Sequence, residues 1–213
     1  MKHILFFDRH YATSLSDLQQ KIKKREKLNM RKKSLLTAIP FMLLALLFTS
    51  SAFAYTFTGH KWPKSANNPY NVYVKYATTN TAYKAAFDSA AADWNSAQSK
   101  IKFNLSALNT STLSKVGTQN VDDPSMFGVC ITYVSPGTTS TSYFTADINI
   151  GNPAVANQSN TRRSAAGHEL GHALGLGHTS LLVKAIMNSS RDRETIYTPQ
   201  TDDKNGLNAL YPL

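Results

Sequence analysis

Polar and apolar positions alternate over residues 71–76, with Val72, Val74 and Tyr76 on one side and Asn71, Tyr73 and Lys75 on the other. That period of two predicts a strand with one buried face. Over residues 81–99 the spacing changes, and Tyr83, Phe87, Ala90, Ala91, Trp94 and Ala97 recur at steps of three and four. This predicts an amphipathic helix, with Asn80 or Thr79 placed to cap it. Ile101, Phe103 and Leu105 alternate again and predict a second strand, and residues 129–134 and 144–150 predict two more. Gly- and Ser/Thr-rich connections separate them, Ser135-Pro136-Gly137 among them. Helical character returns over residues 161–176, and a short final helix is expected within 198–213, where Asp202 and Asp203 precede Leu207, Leu210 and Tyr211. No internal repeat is apparent. Strand, helix and strand, then further strands and late helices, predict an α+β fold with helices packed on a sheet.

Residues 30–54 break this pattern with three basic residues, Arg31, Lys32 and Lys33, then an apolar stretch from Leu35 to Phe48, then Ala52-Phe53-Ala54. Charge, apolar run and small-residue cleavage pattern together predict a secretory signal peptide and a mature start at Tyr55. A transmembrane anchor is the competing reading. The apolar stretch is 14 residues with Pro40 inside it, against the roughly 20 that a span requires. No stable membrane span is therefore expected after cleavage. Residues 1–29 are polar and basic and precede Met30, so they read as an upstream extension from start-site choice. Residues 55–213 then form one domain, extracellular or periplasmic, expected to be a monomer.

The formal net charge of +10 suggests an acidic partner until it is divided along the chain. Of 23 Lys and Arg, 10 lie in residues 1–54, as do 3 of the 13 Asp and Glu, leaving 13 against 10, or +3, for residues 55–213. The excess belongs to targeting sequence and gives no support to nucleic-acid binding. Cys130 is the only cysteine, so no internal disulfide forms. Within its apolar run it reads as a small buried residue rather than a nucleophile.

Residues 168–178 read His-Glu-Leu-Gly-His-Ala-Leu-Gly-Leu-Gly-His. Four residues apart on a helix, His168 and His172 project from one face, so both can reach one ion at about 2.0 to 2.1 Å. Glu169 is offset around the helix, better placed to contact a water on the metal than to become a ligand. Gly175 permits the turn that ends the helix and returns His178 to the metal. Three neutral nitrogen ligands leave a position for water, the arrangement of a catalytic Zn2+ site.

The long motif, followed by Ala185-Ile186-Met187, resembles the metzincin zinc metalloproteases, whose methionine-containing turn lies under the metal. Thr179 after the third ligand is closest to the matrixins, the matrix-metalloproteinase-like family, which usually place Ser there; astacins have Glu and adamalysins Asp. Lys61-Trp62 and the tail from Gln200 to Tyr211 resemble the start and closing helix of a matrixin catalytic domain. The resemblance implies a twisted, mostly parallel sheet with an antiparallel edge strand, an active-site helix and a C-terminal helix. It also implies a zinc endopeptidase acting on protein or peptide substrates, in which a zinc-activated water attacks with Glu169 as general base. Met187 takes the place of the turn methionine, packed beneath the ligands.

Residues 145–150 match the strand that pairs with substrate, and Tyr197 would border the pocket selecting a side chain. No inhibitory cysteine prosegment is found, and His60 is the only other histidine after residue 54, so a second structural zinc is not implied. Structural Ca2+ at Asp122, Asp123 or Asp147 is weighed against solvated surface carboxylates. The competing function is a catalytically inactive secreted zinc-containing binding protein.

Overall fold

A computed structural model of the chain describes residues 17–28, 54–63 and 69–212. It divides into two compact units, residues 1–52 and 53–213. In the first, residues 17–28 form helix α1, exposed along its length. The signal-peptide reading of residues 30–54 lies outside the described residues except at Ala54. No helix among the described residues is long and apolar enough to cross a membrane.

The second unit runs β1 (Tyr70–Tyr76), α2 (Thr81–Ala97), β2 (Ile101–Leu105), β3 (Lys115–Gln119), β4 (Gly128–Val134), β5 (Thr141–Asn149), α3 (Pro153–Asn157), α4 (Ser159–Ala173) and α5 (Thr201–Leu210). The five strands form one sheet in the order β2-β1-β3-β5-β4. All neighbours are parallel except β4 and β5, which pair antiparallel at one edge. This is the expected α+β arrangement. As the alternation predicts, Val72 and Val74 of β1 are buried, and so are Phe87, Ala90, Ala91 and Trp94 of α2. Asn80 caps α2, its side chain accepting a hydrogen bond from the Ala82 amide at 3.0 Å.

Two elements escape the periodicity. The central strand β3 is only five residues long, and Val116 is its one large buried apolar side chain. Its neighbour Gly117 has no room for more, since an added Cβ would lie 2.7 Å from Asp147 Oδ1. A short strand with a glycine at its middle shows no alternation to read. The short helix α3 starts where Asn152 accepts from the Ala154 and Val155 amides and Pro153 fills the first turn.

The substrate-pairing expectation for residues 145–150 is corrected by the sheet order. β5 is paired on both sides, with β3 from Thr145 to Asn149 and with β4 from Gly128 to Val134, so its edges are occupied. The outer edge belongs to β4.

Both tryptophans of this unit hold α4 against the core. Trp94 Nε1 donates to Gly167 O at 2.8 Å and Trp62 Nε1 to Ala173 O at 2.9 Å, both buried. The second bond satisfies a carbonyl in the last helical turn, where no intrahelical donor follows.

Candidate metal centre

Helix α4 ends in a Schellman turn that the sequence encodes at Gly175. The Leu176 amide bonds Gly171 O at 3.1 Å, the Gly175 amide bonds His172 O at 2.9 Å, and Gly175 takes φ +96°. The chain then reverses so that His178 meets the two helical histidines. Ring centroids lie 4.7 Å apart for His168 and His172, 5.1 Å for His168 and His178, and 4.9 Å for His172 and His178.

One ring nitrogen from each histidine falls within 4.8 Å of the others. Two of the rings are oriented from behind: His168 Nδ1 lies 2.8 Å from Ile186 O, and His172 Nδ1 lies 2.8 Å from Leu176 O. Carbonyl partners assign the proton to Nδ1 in both, which leaves the Nε2 lone pairs free. His168 Nε2 and His178 Nε2 approach to 3.2 Å. A proton on His178 Nε2 or a cation bridges the two nitrogens at this distance, and three imidazole nitrogens brought together are a donor set that fits zinc. Burial keeps the helical rings neutral, pushing His172 down to about 4 and His168 well below its ordinary value. Among the described residues no fourth Cys, Asp, Glu or His joins the group, so the site is not closed by protein.

Beneath the rings, Met187 occupies a groove cut by two glycines. A Cβ on Gly171 would lie 2.3 Å from Met187 Sδ, and one on Gly167 would lie 2.6 Å from Ile186 Cδ1. Glycine in mid-helix costs about 1 kcal/mol relative to alanine, and here it admits the turn. The turn is fixed from the other side by Asp203, whose carboxylate accepts from the amides of Ile186 (2.8 Å), Met187 (3.1 Å) and Gln200 (2.7 Å). Asp203 thus holds the Ile186 peptide whose carbonyl orients His168. The sequence reading placed Asp203 on the final helix without this role. An acidic residue three positions after Gln200, at the start of a helix, was the available signal.

The loop bearing His178 is strapped by the lead segment. Thr56 Oγ1 donates to His178 O at 2.6 Å, the Gly177 amide to Thr56 O at 2.8 Å, and the Thr58 amide to Gly175 O at 3.0 Å.

Glu169 is 4% exposed and makes no hydrogen bond or ion pair among the described residues. Burial pushes its pKa up to about 8, opposed by the positive charges of Arg191 and Arg193. Room for its carboxyl is left by Gly128 at the start of β4, where an added Cβ would lie 2.8 Å from Glu169 Oε1. Arg191 is buried behind His168. It donates to Ser164 Oγ (3.0 Å), Ser164 O (2.8 Å) and Asn188 O (2.9 Å). Its Nη1 also lies 3.2 Å from His168 Nδ1, but that nitrogen carries the proton given to Ile186, so the Arg191 bond goes to Asn188. Neither arginine figured in the sequence reading.

Tyr197, expected at a pocket border, lies under Arg163, whose Cζ is 5.0 Å from the ring centroid. Cys130 is half-buried, and burial raises its thiol above the ordinary range. The loop with Asp122 and Asp123 is knitted by amides: Asn149 Nδ2 points at the carbonyls of Val121, Asp123 and Met126 at 3.0, 3.1 and 3.1 Å. Asp123 Oδ1 accepts from Ser125.

The matrixin family model matches residues 55–212, and the chain belongs to that family of zinc metalloendopeptidases. Among solved structures it is similar to myroilysin, with a TM-score of 0.46 and 16% identity over 71% of this chain and 82% of that one. It is also similar to high choriolytic enzyme 1, a hatching enzyme zinc-protease of the medaka fish Oryzias latipes. That match has a TM-score of 0.43 and 15% identity, over 72% of this chain and 94% of that one. A comparison with curated proteins finds no match.

Proposed function

We propose that this chain is a secreted zinc endopeptidase in which His168, His172 and His178 hold the metal and Glu169 is the general base. The observation that carries the reading is three imidazoles converging beside a buried carboxylate that makes no hydrogen bond or ion pair among the described residues. Zinc bound there supplies Lewis acidity toward the scissile carbonyl and brings a water pKa to about 7. Glu169 takes the proton of the attacking water on its carboxylate and returns it to the departing amine nitrogen. Ile186 O and Leu176 O keep His168 and His172 in the Nε2-facing tautomer, and Asp203 keeps Ile186 in place. Met187 packs beneath the ligands without bonding to the metal.

The outer edge of β4 is the place for an extended substrate. Its backbone has no strand partner on that side among the described residues, and its first residue, Gly128, adjoins Glu169. Strand addition there offers main-chain hydrogen bonds and leaves side chains to choose among substrates. Export is supported by the signal pattern of residues 30–54 and by a family match that begins at Tyr55, the expected mature start.

The test is cleavage of an unfolded protein by the purified enzyme, after chelation and again after zinc is restored. Cleavage lost on chelation and regained with zinc is the expected outcome. Chelator-insensitive cleavage, or zinc binding with no cleavage of any substrate, would overturn the reading, the second in favour of a binding protein.

A further inference from the structure

Two guanidinium groups lie close enough to act on Glu169, and the proposed chemistry uses neither. Arg191 is fully engaged by neutral oxygens behind His168. Arg193 is not: Nη2 donates to Ser189 O at 2.9 Å and Nη1 lies 3.4 Å from Arg191 O, while Nε is buried with no hydrogen-bond partner among the described residues. Among those residues the ion pairs are Lys21–Asp17 and Arg163–Asp93, so neither guanidinium has a carboxylate within 4.0 Å. The acids flanking Arg193 are committed elsewhere. Asp192 accepts from the Glu194 amide and Thr195 Oγ1, and Glu194 accepts from the Thr161 amide and hydroxyl.

The position of Arg193 is set by an aromatic ring. Its Cζ stands 3.5 Å from the centroid of Phe127, the residue before Gly128. A Cβ on Gly128 would lie 2.8 Å from Glu169 Oε1, and Ser189, which holds Nη2, follows Met187 by two residues. Arg193 therefore spans the start of the edge strand and the loop after the methionine turn, the two segments that bound the space next to Glu169. Stacking on a ring fixes the guanidinium plane and removes water from one face. Arg191 feels the carboxylates of both Glu169 and Asp203, whereas Arg193 feels that of Glu169 alone.

We infer that Arg193 recognises a carboxylate side chain on a substrate residue flanking the scissile bond, so that acidic polypeptides are the preferred substrates. The inference rests on the proteolytic reading above. Ser189 O and Arg191 O take one hydrogen each from Nη2 and Nη1, and a carboxylate accepts from the Nη hydrogens that remain, in a charge-assisted pair that a neutral amide cannot reproduce.

The experiment compares paired peptides that differ only by Glu or Gln at each residue flanking the cleaved bond. At one of these positions the wild-type enzyme is expected to favour Glu over Gln in kcat/KM by about tenfold, the factor that corresponds to 1.4 kcal/mol. Arg193→Gln brings that ratio to about one, Arg193→Lys keeps part of it, and Arg193→Glu turns the preference toward a Lys peptide. Circular dichroism and thermal midpoints establish that each variant is folded. A wild-type ratio near one, or a ratio that folded Arg193→Gln leaves unchanged, would overturn the inference and make Arg193 a brace for the loop. Failure of the wild type to cleave both these peptides and unfolded protein would instead overturn the proteolytic reading and the inference with it. Cleavage without acid preference overturns the inference alone.

Discussion

The histidine cluster and the wall of Phe127, Gly128, Arg191 and Arg193 both adjoin Glu169, yet they are built differently. The cluster is drawn from residues 168–178 by one helix, one glycine turn and one reversal. The wall is assembled from the start of β4 and from the loop after Met187, and only the tertiary fold brings them together. Holding a metal needs a few donors at fixed spacing, which local helix geometry supplies. Choosing a substrate depends on what surrounds the reacting bond, and that is contributed by segments far apart in the chain. The two regions should therefore respond differently to mutation.

The sharpest way to break this contrast is at the cluster itself. His172→Ala should abolish zinc binding and reduce cleavage to background, read by metal analysis and peptide assay on the same sample. Retention of both would mean that the ligands lie elsewhere. A smaller effect is expected at Asp203, which acts on the cluster from a distance. Asp203→Asn leaves buried amides of the methionine turn poorly satisfied. It should cost about 2 kcal/mol, lowering Tm by about 6 °C for a domain of this size, and weaken zinc binding about tenfold through a misdirected His168. An unchanged Tm would show that the turn holds itself. The mildest effect is expected at Gly171→Ala. A gain of about 1 kcal/mol in helix propensity opposes the strain of a methyl 2.3 Å from Met187 Sδ, which costs about 2 kcal/mol. A net loss of stability in thermal denaturation is expected, and a gain would mean that Met187 moves aside freely.

What could be read in the sequence follows the same division. The helix over Thr81–Ala97, four of the five strands and the convergence of His168, His172 and His178 were legible because each is a periodic or fixed-spacing pattern in contiguous residues. β3 was not, because its burial rests on Val116 and a glycine crowded by Asp147. Pairing order was not either: that β5 lies inside the sheet and β4 at its edge depends on long-range contacts, so the exposed edge expected at residues 145–150 belongs to β4 instead. Arg191 and Arg193 look like ordinary surface charges in a polar run, Ser-Ser-Arg-Asp-Arg-Glu, and only burial against His168 and Phe127 singles them out. Gly167 and Gly171 were visible as a pair four apart on the zinc-binding helix, but their meaning needed the turn that fills them.

The central claim separates the residue that moves the proton from the residues that hold the metal, and Glu169→Gln tests it most directly. Zinc content and the rate of peptide cleavage should be measured on the same preparation, beside the wild type. The account predicts one zinc per chain in both proteins, with cleavage by the variant reduced by a factor on the order of a thousand. A Glu169→Gln protein that holds zinc and cleaves at the wild-type rate, or one that is folded yet has lost its zinc, would contradict it.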